Sequence, residues 1–151
     1  MTIPTLVCGF LSHADQTVAE RIVIPTAQDW PTAVRRVARS FAGEMMFVVA
    51  LRDDKSRKPS GVWEELPIEK RKWSARILSE SHEFTVIGFN NLRMEPLMLH
   101  VTAPNWIVAA HLSIAEKNHE GFRFVACFEG HIPQADVLGS ARHVDADFGA
   151  I

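Results

Sequence analysis

The chain contains no tyrosine: every aromatic residue is phenylalanine (nine) or tryptophan (four). A phenolic acid, base or nucleophile is therefore excluded from any mechanism. Cysteine is scarce as well. Cys8 and Cys127 each lie inside an apolar run, Leu6-Val7-Cys8-Gly9-Phe10 and Val125-Ala126-Cys127-Phe128. Buried small side chains explain them better than a disulfide framework. No two cysteines have ligand spacing, so a structural zinc is excluded. No apolar run approaches the ~20 residues that span a bilayer, and the first residues lack the basic n-region of a signal peptide. These features predict a soluble, reduced, cytoplasmic protein of bacterial or phage type. Charge of one sign is not in excess either: 16 Lys and Arg stand against 18 Asp and Glu, for a net charge of −2. A uniformly basic nucleic-acid coat and an acidic DNA mimic are both disfavoured. Walker-type, Gly-x-Gly-x-x-Gly and Gly-x-Ser-x-Gly loops are missing, so no cofactor is expected and no nucleophile elbow is in place.

What is present is ordinary globular material: 151 residues, 47% hydrophobic and 23% charged. A chain of this length typically buries ~70% of the surface it exposes when unfolded, enough for one domain without staples. Residues 5–11, 21–25 and 45–51 read as strands. Between them Val34, Val37, Ala38 and Phe41 fall on one face of a helix over about 30–42, with Arg35, Arg36 and Arg39 pointing elsewhere. A further helix is predicted over 67–78, with Pro67 in its first turn. The same order then returns: strands at 84–89 and 96–101, a helix at about 106–118, a strand at 122–128 and a Pro-initiated segment at 133–142.

Sequence identity accompanies this order. Ile22–Arg52 aligned with Met98–Phe128 matches at seven of 31 positions, Thr26/Thr102, Ala27/Ala103, Trp30/Trp106, Ala33/Ala109, Glu44/Glu120, Val49/Val125 and Ala50/Ala126. Small gaps add Gly9-Phe10 with Gly88-Phe89, Pro67 with Pro133 and Ser74-Ala75-Arg76 with Ser140-Ala141-Arg142. Asp29 and Asn105 each stand where a helix N-cap is needed. Trp30 and Trp106 follow them as structural anchors. The expectation is an α+β fold: one domain over 1–151, built from an internally duplicated ββαβα unit. Repeat one is 1–80, with a basic insertion near 52–64, and repeat two is 81–151. Strand–helix–strand succession predicts a right-handed crossover and a parallel pair in each half. The halves would then join about a pseudo-two-fold axis into one mixed sheet with helices packed on it.

Charge differs between the halves: residues 1–80 carry 12 Lys and Arg against 10 acids, and 81–151 carry 4 against 8. Arg35, Arg36 and Arg39; Lys55, Arg57 and Lys58; and Lys70, Arg71 and Lys72 form three basic groups. Together with Trp63, at the end of the loop, they are the candidate contact residues, because Trp and Arg favour interface hot spots. A protein partner is expected. Nucleic acid is not favoured, for want of interleaved stacking aromatics beyond Trp63 and Trp73. No membrane association is expected.

Chemistry has thinner support. His100-Val101-Thr102 and His111-Leu112-Ser113 resemble the paired His-x-Thr/Ser motifs of the two-histidine phosphoesterases. In that family the motifs lie on separate strands far apart in sequence. Here the histidines are 11 apart and the second is on a helix, so the resemblance is carried no further. His100 and His111 remain the weak candidates for acid–base work. His143, Asp145 and Asp147 could share one side of an extended tail, but a solvated acidic terminus is the commoner arrangement, and no metal is expected. The sequence thus favours a non-catalytic protein that engages another macromolecule, of inhibitor or accessory-factor type. It would use the surface between the repeats or the basic region 55–76. The alternatives are a small-molecule sensor or carrier with a pocket between the repeats lined by Trp and Phe, and a small enzyme using His100 or His111.

Overall fold

The computed structural model describes residues 2–11, 13–67, 81–117 and 121–141. Among the described residues, two antiparallel four-stranded sheets are stacked face to face, with one helix on each outer surface. The first sheet is built around the hairpin β1 (Ile3–Leu11) and β2 (Gln16–Ile24), followed by α1 (Trp30–Arg39) and β3 (Met45–Arg52). The second is built around β5 (His82–Asn90) and β6 (Glu95–Ala103), followed by α2 (Trp106–Lys117) and β7 (Phe122–Glu129). Each sheet takes its fourth strand from the other half of the chain. β8 (Val137–Ser140) completes the order β2-β1-β3-β8, and β4 (Gly61–Val62) completes β4-β7-β5-β6.

The expected single mixed sheet with parallel pairs is therefore corrected to two antiparallel sheets. The hairpin partner β2 occupies one side of β1, so the chain returning through α1 pairs β3 on the other side, antiparallel to β1. The segment at 133–142 is also corrected, from a counterpart of the 67–78 helix to a 3-10 turn at Gln134–Asp136 leading into β8. Beyond Pro67, the predicted helix over 67–78 lies outside the described residues.

Alternation along the strands feeds three apolar layers. Ile3, Val7 and Leu11 pack with Val34, Val37 and Ala38 under α1. Leu6, Cys8, Phe10 and Leu51 meet Ile87, Phe89, Val125 and Phe128 between the sheets. Phe84, Val86 and Phe124 pack with Val108, Ala109 and Ala110 under α2. The period of two breaks in both sheets, and the pairing of β3 with β8 also shifts, between Ala50 and Leu51. The pairing of β1 with β3 shifts register between Cys8 and Gly9, and that of β5 with β7 shifts between Ile87 and Gly88. These bulges let Val48 and Val49, and likewise Val125 and Ala126, all face the central layer.

Helix entry differs between the halves. Asn105 Oδ1 accepts the Val108 N–H at 3.0 Å, as an N-cap should. Asp29 instead turns back, its Oδ2 accepting from the Thr26 N–H and hydroxyl at 3.2 Å, because a 3-10 turn at Ala27–Asp29 precedes α1. That turn lengthens the connection from β2 to α1 relative to the one from β6 to α2.

Both thiols are buried and free. Burial, assisted at Cys8 by the nearby Asp53 carboxylate, pushes the Cys8 thiol up to about 12, and burial alone pushes Cys127 up to about 12. A thiol is uncharged when protonated, so the unfolded chain releases these protons first. Their stabilising contribution is fully present below pH 9.0 and is lost as pH rises toward about 12. Tyrosine contributes nothing in this range, and comparison with a thiol-free variant separates the effect from lysine titration. Chemical denaturation between pH 8 and 11 should show a steeper alkaline loss in the wild type than in a Cys8→Ala/Cys127→Ala variant, and an equal loss would refute the assignment.

Candidate functional site: an aromatic pocket between the halves

After β4 the chain makes a 3-10 turn, Trp63–Glu65, that Thr17 of β2 clamps in place. The Thr17 hydroxyl donates to the Val125 carbonyl at 3.0 Å and accepts the Trp63 N–H at 3.3 Å. The Thr17 N–H donates to Glu64 Oε2 at 2.9 Å. On the far side His111 of α2 donates from Nε2 to the Pro67 carbonyl at 3.1 Å, which fixes the ring tautomer. Between these two anchors lies a cavity of about 580 Å³. Trp63, Leu66, Ile114, Phe122 and Phe124 form its apolar wall, while Asp15, Glu64 and His111 supply the polar groups.

Arg123 stands behind the aromatic wall. Its guanidinium lies 4.1 Å from the Phe10 ring centroid and 5.5 Å from that of Trp63. Nη2 is 3.6 Å from Asp15 Oδ1. Nε and Nη2 are buried and find no hydrogen-bond partner among the described residues. Burial draws the Arg123 pKa below its ordinary value, and the Asp15 and Glu64 carboxylates oppose that shift. The cation is thus held by two ring faces and, on its open side, by the exposed Asp15 carboxylate.

Each titratable group at the pocket is committed to a structural partner: Asp15 to Arg123, Glu64 to the Thr17 N–H, His111 to Pro67. The lining combines aromatic surface with a few oriented polar groups. Among the described residues no three His, Cys, Asp or Glu side chains are grouped so as to hold a metal ion.

Of the sequence candidates, Trp63 and His111 meet at this pocket. His100 does not. It lies on the edge strand β6, stacked on His131 at 4.0 Å between ring centroids, with Nε2 donating to the Ile132 carbonyl at 2.9 Å. Arg57 turns inward: its N–H donates to both Asp53 carboxylate oxygens, and Nη1 lies 3.7 Å from Asp136 Oδ2. Lys58 is exposed on the same connector, and Arg35 and Arg39 are exposed on α1, in a different layer from Trp63. Lys70, Arg71 and Lys72 lie outside the described residues, as do His143, Asp145 and Asp147. Sequence reasoning missed Thr17, Asp15 and Arg123. For Arg123 a signal exists, a single charge within Phe122-Arg123-Phe124-Val125-Ala126-Cys127-Phe128.

No family model, curated protein or solved structure matches the chain. No described helix is long and apolar enough to cross a membrane.

Proposed function

We propose that the chain is a non-catalytic, cytoplasmic binding protein, built from a duplicated unit whose halves are related by a pseudo-two-fold axis. It engages a protein partner at the pocket between those halves. Several paired details support the duplication. The hairpins share one register, Ile3 opposite Ile24 and His82 opposite Ala103, and each turn ends on a residue with positive φ, Asp15 at 47° and Met94 at 54°. Trp30 stacks on Phe47 at 5.7 Å as Trp106 stacks on Phe124 at 6.3 Å. In this view the unit is ββαβ with an exchanged fourth strand, and residues 53–60 correspond to 130–136.

The observation that carries the binding reading is Trp63. It is half-buried, held by backbone hydrogen bonding, backed by Arg123, and faces a cavity to which both halves contribute. A partner's apolar or aromatic side chain would enter there as an anchor, which is how rigid tryptophans act at interfaces. The cavity also falls within the ~300–1,000 Å³ usual for small-molecule sites, which favours the sensor or carrier as the second reading.

Both are tested by nuclear magnetic resonance titration with a fragment set and a short-peptide set. The reporter is the Trp63 indole N–H, assigned through Trp63→Phe. Binders should move that resonance and the amides of 111–114, leave the Trp30 indole in place, and lose at least about tenfold in affinity, equivalent to ~1.4 kcal/mol, on Trp63→Ala. Peptides as the stronger binders support the leading reading and fragments the second. Perturbations confined to other surfaces, or affinity unchanged in Trp63→Ala, would sink both.

A further inference from the structure

The groove beside the outer side of β2 shares no lining residue with the aromatic pocket. Among the described residues β2 pairs as a strand with β1 alone; Glu64 takes the Thr17 N–H at its first end, and the rest of its length toward Ile24 forms an open edge of the first sheet. Such an edge offers a row of unpaired N–H and C=O groups to any extended chain that approaches. Natural edges are commonly blunted by brevity, proline or an inward charge. Here Pro25 lies just beyond the strand, and Val23 is 52% exposed on it.

The edge runs beside α1, and the space between them is a groove with two adjoining depressions of about 220 and 440 Å³. Ile22, Val23 and Arg36 line both. Ile24 and Ala33 extend the apolar floor toward the start of the helix, and Val37 extends it toward the end. Arg36 therefore stands at the middle of the groove, with Arg39 exposed in the same last turn of α1. The carboxylates of Glu20 and Asp29 are at the two ends, and that of Asp29 is engaged with Thr26.

We infer that this groove accepts an extended segment of a protein partner, added as a fifth strand beside β2, with a carboxylate side chain opposite Arg36 and apolar side chains two residues to either side. Main-chain pairing along β2 gives the affinity. The period of two in the added strand delivers alternate side chains to the groove, where the apolar floor and the guanidinium select them. Arg suits the task because its planar fork meets a carboxylate in two parallel hydrogen bonds.

A display selection from random ten-residue peptides, run against the wild type and an Arg36→Glu variant, tests this. Wild-type selections should enrich Asp or Glu flanked at two-residue spacing by Val, Ile or Leu. Selections on the exposed-surface variant Arg36→Glu should replace the acid with Lys or Arg. The best wild-type peptide should shift the amides of 19–24 and 33–37, and bind at least about tenfold more weakly to Arg36→Glu. Its affinity should also vanish when alternate peptide amides are N-methylated. Enrichment without an acidic position, the same motif from both proteins, shifts away from β2, or no selected peptide at all would each overturn the inference. So would preferential displacement of the peptide by a single-stranded oligonucleotide, which would make Arg36 and Arg39 a phosphate site.

Discussion

Gly61→Ala should cost about 3 kcal/mol of stability, a large share of the total for a domain of this size. A Cβ at Gly61 would lie 2.2 Å from Cδ2 of the Trp106 indole, and one at Gly139 would lie 2.2 Å from Cε2 of Trp30. Each tryptophan opens a helix, stacks on a phenylalanine of its own sheet, and covers the glycine of the strand contributed by the other half. The ring cannot retreat without leaving its phenylalanine, and the strand cannot retreat without losing its pairing to β7 or β3. Gly139→Ala should behave alike. Guanidinium denaturation measures both. Trp106→Leu alone opens a cavity, but combined with Gly61→Ala it should cost at least about 1 kcal/mol less than the sum of the single changes, as contacting residues do. Strict additivity would mean that the indole does not rest on that glycine.

Those two glycines also show where sequence reading reaches its limit. Most core strands and the two described helices were legible because apolar runs and helical spacing act within a few residues. Met45–Arg52 and Phe122–Glu129, for example, announce themselves as apolar runs. β2 was legible only over 21–25, because its first half, residues 16–20, carries no apolar run. β4 has only two residues and β8 four, in stretches whose polar neighbours read as loop or as a Pro-initiated segment. What makes them strands is a partner far along the chain: Cys127 for Gly61, Ala50 for Gly139. The same long-range choice decided against parallel pairing, since the hairpin had already taken one side of β1. Trp63 and His111 were visible as residue types with interface and acid–base potential. Their meeting was not visible, because it depends on Thr17 holding the Trp63 turn against β7. Arg57 read as an exposed basic group from its neighbours Lys55 and Lys58. Its backbone N–H is instead taken by the buried Asp53, four residues earlier, and its guanidinium faces Asp136.

Asp53→Ala is accordingly expected to cost about 2–3 kcal/mol, chiefly for leaving the Arg57 backbone N–H without its charged acceptor, since Arg21 is 39% exposed and its charge is screened by solvent. Asp53 is 0% exposed, and its carboxylate accepts the Arg57 N–H at 2.9 and 3.0 Å and lies 3.5 Å from Arg21 Nε. Its own N–H donates to the Pro4 carbonyl at 2.8 Å. The residue therefore fixes the point where the chain leaves the first sheet to deliver β4 to the second. Asp53→Asn retains an acceptor for the Arg57 N–H and should cost about 1–2 kcal/mol. Asp136→Ala loosens a longer, partly exposed ion pair with Arg57 and should cost below about 1 kcal/mol. Denaturant midpoints for the three variants test this ranking. Thiol titration adds an independent reading. In Asp53→Asn the Cys8 pKa should fall from about 12 yet stay above its ordinary value, because burial is the larger cause and the carboxylate the smaller. If Asp53→Ala proved no worse than Asp136→Ala, and the Cys8 thiol were unmoved in Asp53→Asn, the buried carboxylate would not be what directs the crossing. Shape alone, through Trp106 on Gly61, would then have to carry the exchanged strand.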